Sequence, residues 1–205
     1  YHLAKNGWNT VLIERDVLTS GTTWHAAGMV TQLGTTPQIT KIRKSSVKFY
    51  KDLKSITGQD TSFRHTGTIN IATTKSRYQE YLRQVTTSKL LDLDIDIINK
   101  KKFKDLYPIA KNKDIFGGLY IPQDGQADPE ILTKVIAVAA KKEGVKIFEK
   151  CKLQKILKRE NQIRGVKTNL GTINCEYIVL CAGMWSRQIG EAAGRSEERR
   201  VGKEC

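Results

Sequence analysis

A short apolar strand that ends in an acid, followed by a glycine-rich turn, is the feature that most constrains this chain. The strand covers residues 11–14 and ends at Glu14, and the turn contains the run Gly21-Thr22-Thr23-Trp24-His25-Ala26-Ala27-Gly28. A dinucleotide-binding fold uses a strand-terminal Glu to hold an adenosine ribose. Backbone N–H groups and hydroxyls beside a small-residue helix start suit a pyrophosphate. The order of the two parts predicts one half of a dinucleotide site.

The residues before the strand predict a nucleotide-binding unit that lacks its opening. Residues 1–7 resemble the last turns of a helix that ends at Gly7, and the strand follows at once. In a βαβ nucleotide unit, a first strand and its Gly-rich turn precede this helix. We therefore expect both of them upstream of Tyr1. The lack of a G-x-G-x-x-G run here does not argue against a Rossmann-like fold.

The last eleven residues, 195–205, break the pattern in mid-helix and match the translation of a common sequencing-library adapter. We interpret them as an artefact; the alternative is a genuine charged helix end.

The chain has 35 Lys and Arg against 21 Asp and Glu, a net charge of +14, which becomes +13 without this segment. The charge is spread over helices, hairpins and turns, so it indicates a solvated surface rather than a nucleic-acid-binding stripe.

The cysteines and paired acids give no sign of a metal site. Outside the tail the cysteines are Cys151, Cys175 and Cys181, with no C-x-x-C or Cys/His ligand spacing, which predicts buried thiols in a reducing compartment and no disulfide frame. Asp124 and Asp128 are too few for a cation site, and turn chemistry and helix capping account for them. No apolar stretch reaches the length of a membrane span.

The rest of the chain alternates helical and strand patterns. Helices are predicted at 37–57, 75–91 and in a short basic segment capped by Asn99; strands are predicted within 63–73, at 94–98 and at 117–122. Asp128-Pro129 starts the clearest helix, with a core face at Ile131, Leu132, Val135, Ile136, Val138 and Ala139. A strand at 145–149 and a three-strand meander over 152–175 follow. The apolar run 177–181 predicts a parallel strand buried on both faces, which leads into Ala182-Gly183-Met184-Trp185.

Nearly all of residues 1–194 resembles the flavin-dependent dimethylglycine and sarcosine dehydrogenases. The specific block is Thr23-Trp24-His25-Ala26-Ala27-Gly28, and supporting matches lie at 1–5, 66–69, 71–74, 124–129 and 181–185. The resemblance implies an α/β fold, with a Rossmann-like FAD-binding domain whose first strand and Gly-rich turn are missing. Residues 1–58 and 128–194 would form the two parts of that domain. Residues 59–127 would begin an inserted α+β substrate domain.

The same resemblance implies an FAD site. His25 matches the residue that carries FAD covalently, Glu14 and Arg15 match adenosine-side contacts, and Leu153 and Trp185 match cofactor-contacting residues. The segment that lines the pyrophosphate and flavin would contain Gly21, Thr22, Thr23, Trp24, Ala26, Ala27, Gly28 and Met29. On chemistry alone, a lone histidine in such a turn is more often structural, and only the resemblance reverses that order. Trp24 would be a wall beside the flavin or core filling; Trp185 would shield the cofactor or anchor the last helix.

The implied reaction is oxidation of an N-methyl amino acid, with a hydride passed to FAD and electrons passed on to an electron-transfer flavoprotein. Thr22-Thr23 favours sarcosine as the substrate, whereas Ala26 and residues 71–74 favour dimethylglycine. The family also implies the mitochondrial matrix and a tetrahydrofolate site in a C-terminal region outside this chain. We expect residues 1–205 alone neither to bind FAD nor to turn over.

A non-catalytic relative is the alternative. The regulatory subunit of pyruvate dehydrogenase phosphatase shares the architecture but lacks the Trp-His pair of this block, so Trp24-His25 favours the dehydrogenase. A second alternative is a basic nucleic-acid-binding domain. Yellow colour in the purified protein would separate a flavoenzyme from that class.

Overall fold

The computed structural model describes residues 1–160 and 162–194, and they form two compact units. The first unit contains residues 1–7 and 19–144; the second contains residues 8–18 and the described residues from 145 onward. Asn161, in a predicted turn, and the segment 195–205 lie outside the described residues. The domain boundaries expected from the sequence stay predictions.

The elements alternate along the chain as the sequence predicts. The helices are α1 (His2–Lys5), α2 (Pro37–Thr57), α3 (Lys75–Lys89), α4 (Lys100–Leu106), α5 (Pro129–Lys142) and α6 (Ser186–Ala192), with 3₁₀ turns at Thr23–His25 and Gly183–Trp185. The strands are β1 (Val11–Ile13), β2 (Met29–Val30), β3 (Thr68–Ala72), β4 (Asp96–Ile98), β5 (Gly117–Ile121), β6 (Gly125–Gln126), β7 (Lys146–Phe148), β8 (Leu153–Arg159), β9 (Gln162–Thr168) and β10 (Gly171–Asn174).

Three apolar cores lie among the described residues of the first unit, and the third contains Ile98, Phe103 and Ile115. The largest core lies where α2 packs against α5, through buried Val47, Leu53, Leu132, Val135 and Ala139. The second core lies against the antiparallel sheet β3-β5-β4 and contains Leu93, Ile95, Leu119 and Ile121. Burial of apolar side chains of this size contributes roughly 1.5–3 kcal/mol each. The helix pair and the sheet therefore form a packed frame for the short strands β2 and β6, which pair with each other.

The helix ends follow the predicted capping chemistry. The Thr36 hydroxyl accepts from the Ile39 N–H at 3.3 Å, and Gly58 ends α2 with a left-handed φ of 78°. The carboxylate of Asp128 accepts from the N–H groups of Glu130 and Ile131 at 2.8 and 3.0 Å. These caps confirm the helix boundaries predicted from the sequence. The boundaries were predictable because caps and glycine stops depend only on neighbouring residues.

The predicted core face of α5 includes one residue, Ile131, that is exposed rather than buried. Leu132, Val135 and Ala139 are buried, but Ile131 is 43% exposed. A helix presents one stripe to its core at i, i+3 and i+7, and Ile131 is rotated about 100° from Leu132 around the axis. The helix α3 also ends at Lys89 rather than at residue 91.

The second unit pairs β1 with β7 in parallel and contains the predicted antiparallel meander β10-β9-β8. The expected buried parallel strand at 177–181 is not formed. Tyr177 is 70% exposed, Val179 68% and Leu180 40%, and no strand among the described residues pairs with this segment. A strand requires a neighbour to take its backbone N–H and C=O groups, so apolar character alone did not produce one.

The three cysteines within the described residues differ in exposure, which corrects the prediction of buried thiols. Cys151 is buried, Cys175 is half-buried and Cys181 is exposed in the extended segment. Burial raises the pKa of the Cys175 thiol above its ordinary value. None of the helices in the described part of the chain is long and apolar enough to cross a membrane.

Candidate functional site

The predicted histidine lies on a short exposed turn in the first unit. The 3₁₀ turn Thr23–His25 is closed by hydrogen bonds from the His25 N–H to Thr22 O and from the Ala26 N–H to Thr23 O, at 3.2 and 3.1 Å. The Trp24 and His25 rings lie 3.6 Å apart between centroids, with planes inclined at 32°. Trp24 is 54% exposed, so it does not fill the core. The turn therefore presents an aromatic pair, including an imidazole, on the surface of the unit.

The strand after this turn passes very close to β6. In β2, Met29 pairs with Gln126 and Val30 with Gly125, and Gly28 O accepts from the Ala127 N–H at 2.9 Å. Gly28 has a φ of 73°, and a methyl group added there would lie 2.2 Å from the Ala127 carbonyl oxygen. The backbone needs glycine here for both reasons. The close approach fixes the direction in which the chain leaves the His25 turn.

β6 is itself held on its other side. Gln126 exchanges two backbone hydrogen bonds with Arg64, at 2.9 and 3.0 Å. The Arg64 guanidinium donates to both carboxylate oxygens of Asp60, at 3.0 and 2.7 Å. These hydrogen bonds lower the pKa of Asp60 to about 2, so its carboxylate is ionised at physiological pH. The strand that supports the His25 turn thus belongs to a paired and anchored layer.

A buried carboxylate that the sequence assigned to a turn also supports this layer. Asp124 is fully buried; its Oδ1 accepts from the Gln32 N–H at 2.8 Å, and its Oδ2 accepts from the Thr68 hydroxyl at 2.5 Å. The turn lies before Asp124, whose N–H donates to Ile121 O at 3.3 Å, and not at residues 123–126 as predicted, because Gly125 and Gln126 pair with β2 as the strand β6. The second role of Asp124 was missed as well. Its partners lie 92 and 56 residues away along the chain, so no local signal reveals them.

The second unit brings together three of the other predicted contacts. The Arg15 guanidinium lies 4.8 Å from the centroid of the Trp185 ring, and its Nε donates to Asp16 at 2.8 Å. Glu14 Oε1 accepts from the Asp16 N–H at 2.9 Å, and the Glu14 backbone hydrogen-bonds to Phe148 and Cys151. Trp185 holds Arg15 through this ring contact. Because it is 37% exposed, its ring also keeps an accessible surface.

The predicted site residues are divided between the two units. Leu153 is half-buried at the start of β8, opposite Thr168, and lies in the second unit with Glu14, Arg15 and Trp185. The first unit contains Gly21, Thr22, Thr23, Trp24, His25, Ala26, Ala27, Gly28 and Met29.

The residues of the first unit fit an FAD molecule. Residues 19–31 include no Asp or Glu that would repel a pyrophosphate. The strip from Gly21 to Met29 is mostly exposed and contains the small residues Gly21, Ala26, Ala27 and Gly28. Met29 and Trp24 are 68% and 54% exposed, so two large side chains of this strip are open to contact by a ligand. The side-chain Nε2 of Gln32 is buried without a hydrogen-bond partner among the described residues. In the same part of the chain, no cluster of three or more His, Cys, Asp and Glu could hold a metal ion.

Curated proteins similar to this chain are much longer than it is. The chain is 36% identical to dimethylglycine dehydrogenase of Rattus norvegicus and 34% identical to 4-methylaminobutanoate oxidase (formaldehyde-forming) of Paenarthrobacter nicotinovorans. Each match covers 95% of this chain and 23% and 24% of the relative. The pyruvate dehydrogenase phosphatase regulatory subunit of Mus musculus is 32% identical over 93% of this chain and 22% of its own length. The chain thus spans about a quarter of these relatives.

Solved structures show the same architecture. L-proline dehydrogenase from P. horikoshii superposes with a TM-score of 0.88 at 27% identity, covering 94% of this chain and 51% of that protein. The family model described as FAD dependent oxidoreductase matches residues 1–203. The predicted α/β fold of Rossmann-like type is confirmed by these two findings. This chain belongs to the family of FAD dependent oxidoreductases.

Proposed function

We propose that this chain is the flavin-attachment part of a dehydrogenase that oxidises an N-methyl amino acid, sarcosine or dimethylglycine. The main supporting observation is the exposed imidazole of His25, whose ring lies against that of Trp24. The His25 turn leads into β2, which is hydrogen-bonded to β6. In this proposal His25 holds FAD covalently, and electrons pass to an electron-transfer flavoprotein. We extend the proposal to the mitochondrial matrix as the compartment and to tetrahydrofolate as the carrier of the released one-carbon unit.

In this proposal, each predicted site residue contacts a particular part of FAD. Bound FAD accepts the hydride that leaves the N-methyl carbon. Trp24 supplies an aromatic wall beside His25, and the strip through Met29 gives close backbone approach with little side-chain bulk. On the adenosine side, Glu14 offers a carboxylate to the ribose hydroxyls, and Arg15, stacked on Trp185, offers a fixed cation. Leu153 supplies an apolar contact.

Relatives of two kinds support the substrate class. The rat relative is named for dimethylglycine, and the bacterial relative is named for a methylamino acid from which formaldehyde forms. Both names describe oxidation of an amino acid whose nitrogen is methylated. The regulatory subunit is the competing relative. Retention of Trp24 and His25, exposed together, favours the dehydrogenase over a regulatory role.

The test is anaerobic reduction of the flavin in the purified full-length protein. Sarcosine and dimethylglycine are added separately, with glycine and proline as controls. We expect one of the N-methyl amino acids to bleach the flavin absorbance, and formaldehyde to appear in equal amount when no folate is present. A flavin-bearing protein that neither N-methyl amino acid reduces, or that only proline reduces, contradicts the proposed substrate class. A protein purified without flavin supports the regulatory alternative.

A further inference from the structure

The segment that follows β2 is irregular, yet side chains hold its backbone at three successive residues. Asp124 Oδ1 accepts from the Gln32 N–H at 2.8 Å, and Arg43 Nη1 donates to Leu33 O at 2.6 Å. The Gly34 N–H donates to the Thr40 hydroxyl at 3.0 Å. Asp124 is fully buried and Thr40 is 1% exposed, so two of the three anchors lie inside the protein. Residues 32–34 therefore keep one conformation.

Within this fixed segment, the side chain of Gln32 has an unfulfilled donor. Gln32 is 6% exposed, and its Nε2 has no hydrogen-bond partner among the described residues. A buried amide left without a partner costs about 1–3 kcal/mol, and native structures seldom leave one. The backbone of the same residue is held by Asp124, so an acceptor on a bound molecule would satisfy this donor without any change of the backbone.

We propose that Gln32 is a ligand-binding residue, and that its Nε2 donates a hydrogen bond to an acceptor oxygen of the bound molecule. This inference rests on the proposed function. Gln32 is four residues beyond Gly28, on the chain that leaves the His25 turn. The acceptor is a carbonyl of the flavin ring or the carboxylate of the amino acid, because both offer an oxygen to a neutral amide donor. Asp124 is the positioning residue that holds Gln32 in place.

The test compares Gln32→Met with Gln38→Met in the purified full-length protein. Methionine matches the unbranched shape of glutamine without its polar atoms, and Gln38 is an exposed glutamine on α2. If the acceptor is a flavin carbonyl, Gln32→Met shifts the flavin absorption maxima and lowers its reduction potential, with KM within about twofold of wild type. If the acceptor is the substrate carboxylate, Gln32→Met raises KM by about tenfold, the loss of one hydrogen bond, and leaves the flavin spectrum unchanged.

A second measurement separates a ligand contact from a structural role. Gln32→Met removes a donor that lacks a partner in the ligand-free protein, so the midpoint of thermal unfolding without flavin should equal or exceed that of wild type. A purely structural glutamine would give a lower midpoint in both states. Identical flavin spectra, potentials and KM values for Gln32→Met and Gln38→Met overturn the inference alone. A wild-type protein that never carries flavin overturns the proposed function, and this inference with it.

Discussion

Gly28 is the residue at which the backbone of the His25 strip meets its neighbouring strand. Its φ lies in the left-handed region, and its Cα faces the Ala127 carbonyl at a distance that leaves no room for a side chain. The two constraints are independent, because one concerns the backbone of Gly28 and the other the position of Ala127. A single methyl group therefore tests whether the close packing of β2 against β6 is needed.

We predict that Gly28→Ala lowers the free energy of unfolding by at least about 2 kcal/mol, because it adds left-handed strain and a clash with backbone. Urea unfolding of the purified protein measures the change. The matched control is Gly21→Ala, since nothing lies within 4 Å of a methyl group at Gly21 and its φ is not left-handed. That variant should stay within about 0.5 kcal/mol of wild type. Equal stability of the two variants would contradict the packing described for β2.

Among the elements, α5 shows most plainly how a local signal becomes packing. Asp128 caps the helix, Pro129 occupies its first position, and the buried face continues into the core shared with α2. The helix follows β6 directly, so its start also fixes the strand that supports the His25 turn. Loss of the cap should therefore weaken both the helix end and the adjoining strand.

We expect Asp128→Ala to destabilise the protein by about 1 kcal/mol, because two N–H groups of the first turn lose their acceptor. Asp128→Asn keeps a side-chain oxygen at the same place and should retain most of the stability. Thermal unfolding of both variants beside wild type decides between capping and charge. An Asn variant as unstable as the Ala variant would show that the carboxylate charge, rather than the cap, stabilises α5.

At the scale of the whole molecule, the sequence predicted what depends on neighbouring residues. The helices α2 and α5, the meander and the Asp128 cap were all predicted, since their signals lie within a few residues. The strand expected at 177–181 was wrong because a strand depends on a distant partner. The hydrogen bond from the Gln32 N–H to Asp124 was missed for the same reason, because the two residues are 92 positions apart in the sequence.

His25 was predicted to attach the flavin because of the resemblance to the dehydrogenases. Its chemistry alone would have indicated a structural histidine. The structure adds that the imidazole is exposed and stacked on Trp24, a surrounding that suits a ligand contact better than a core position. The family of FAD dependent oxidoreductases supplies the cofactor class. The proposed covalent attachment at His25 links these observations to the proposed reaction.

The most direct measurement of that link is flavin fluorescence on a denaturing gel of the full-length protein, for wild type, His25→Ala and His2→Ala. His2 is an exposed histidine on α1 and serves as the matched control. We predict a fluorescent protein band for wild type and His2→Ala, and none for His25→Ala, because a covalent flavin survives denaturation. A fluorescent band that persists in His25→Ala, or its absence from a flavin-containing wild type, would contradict attachment at His25.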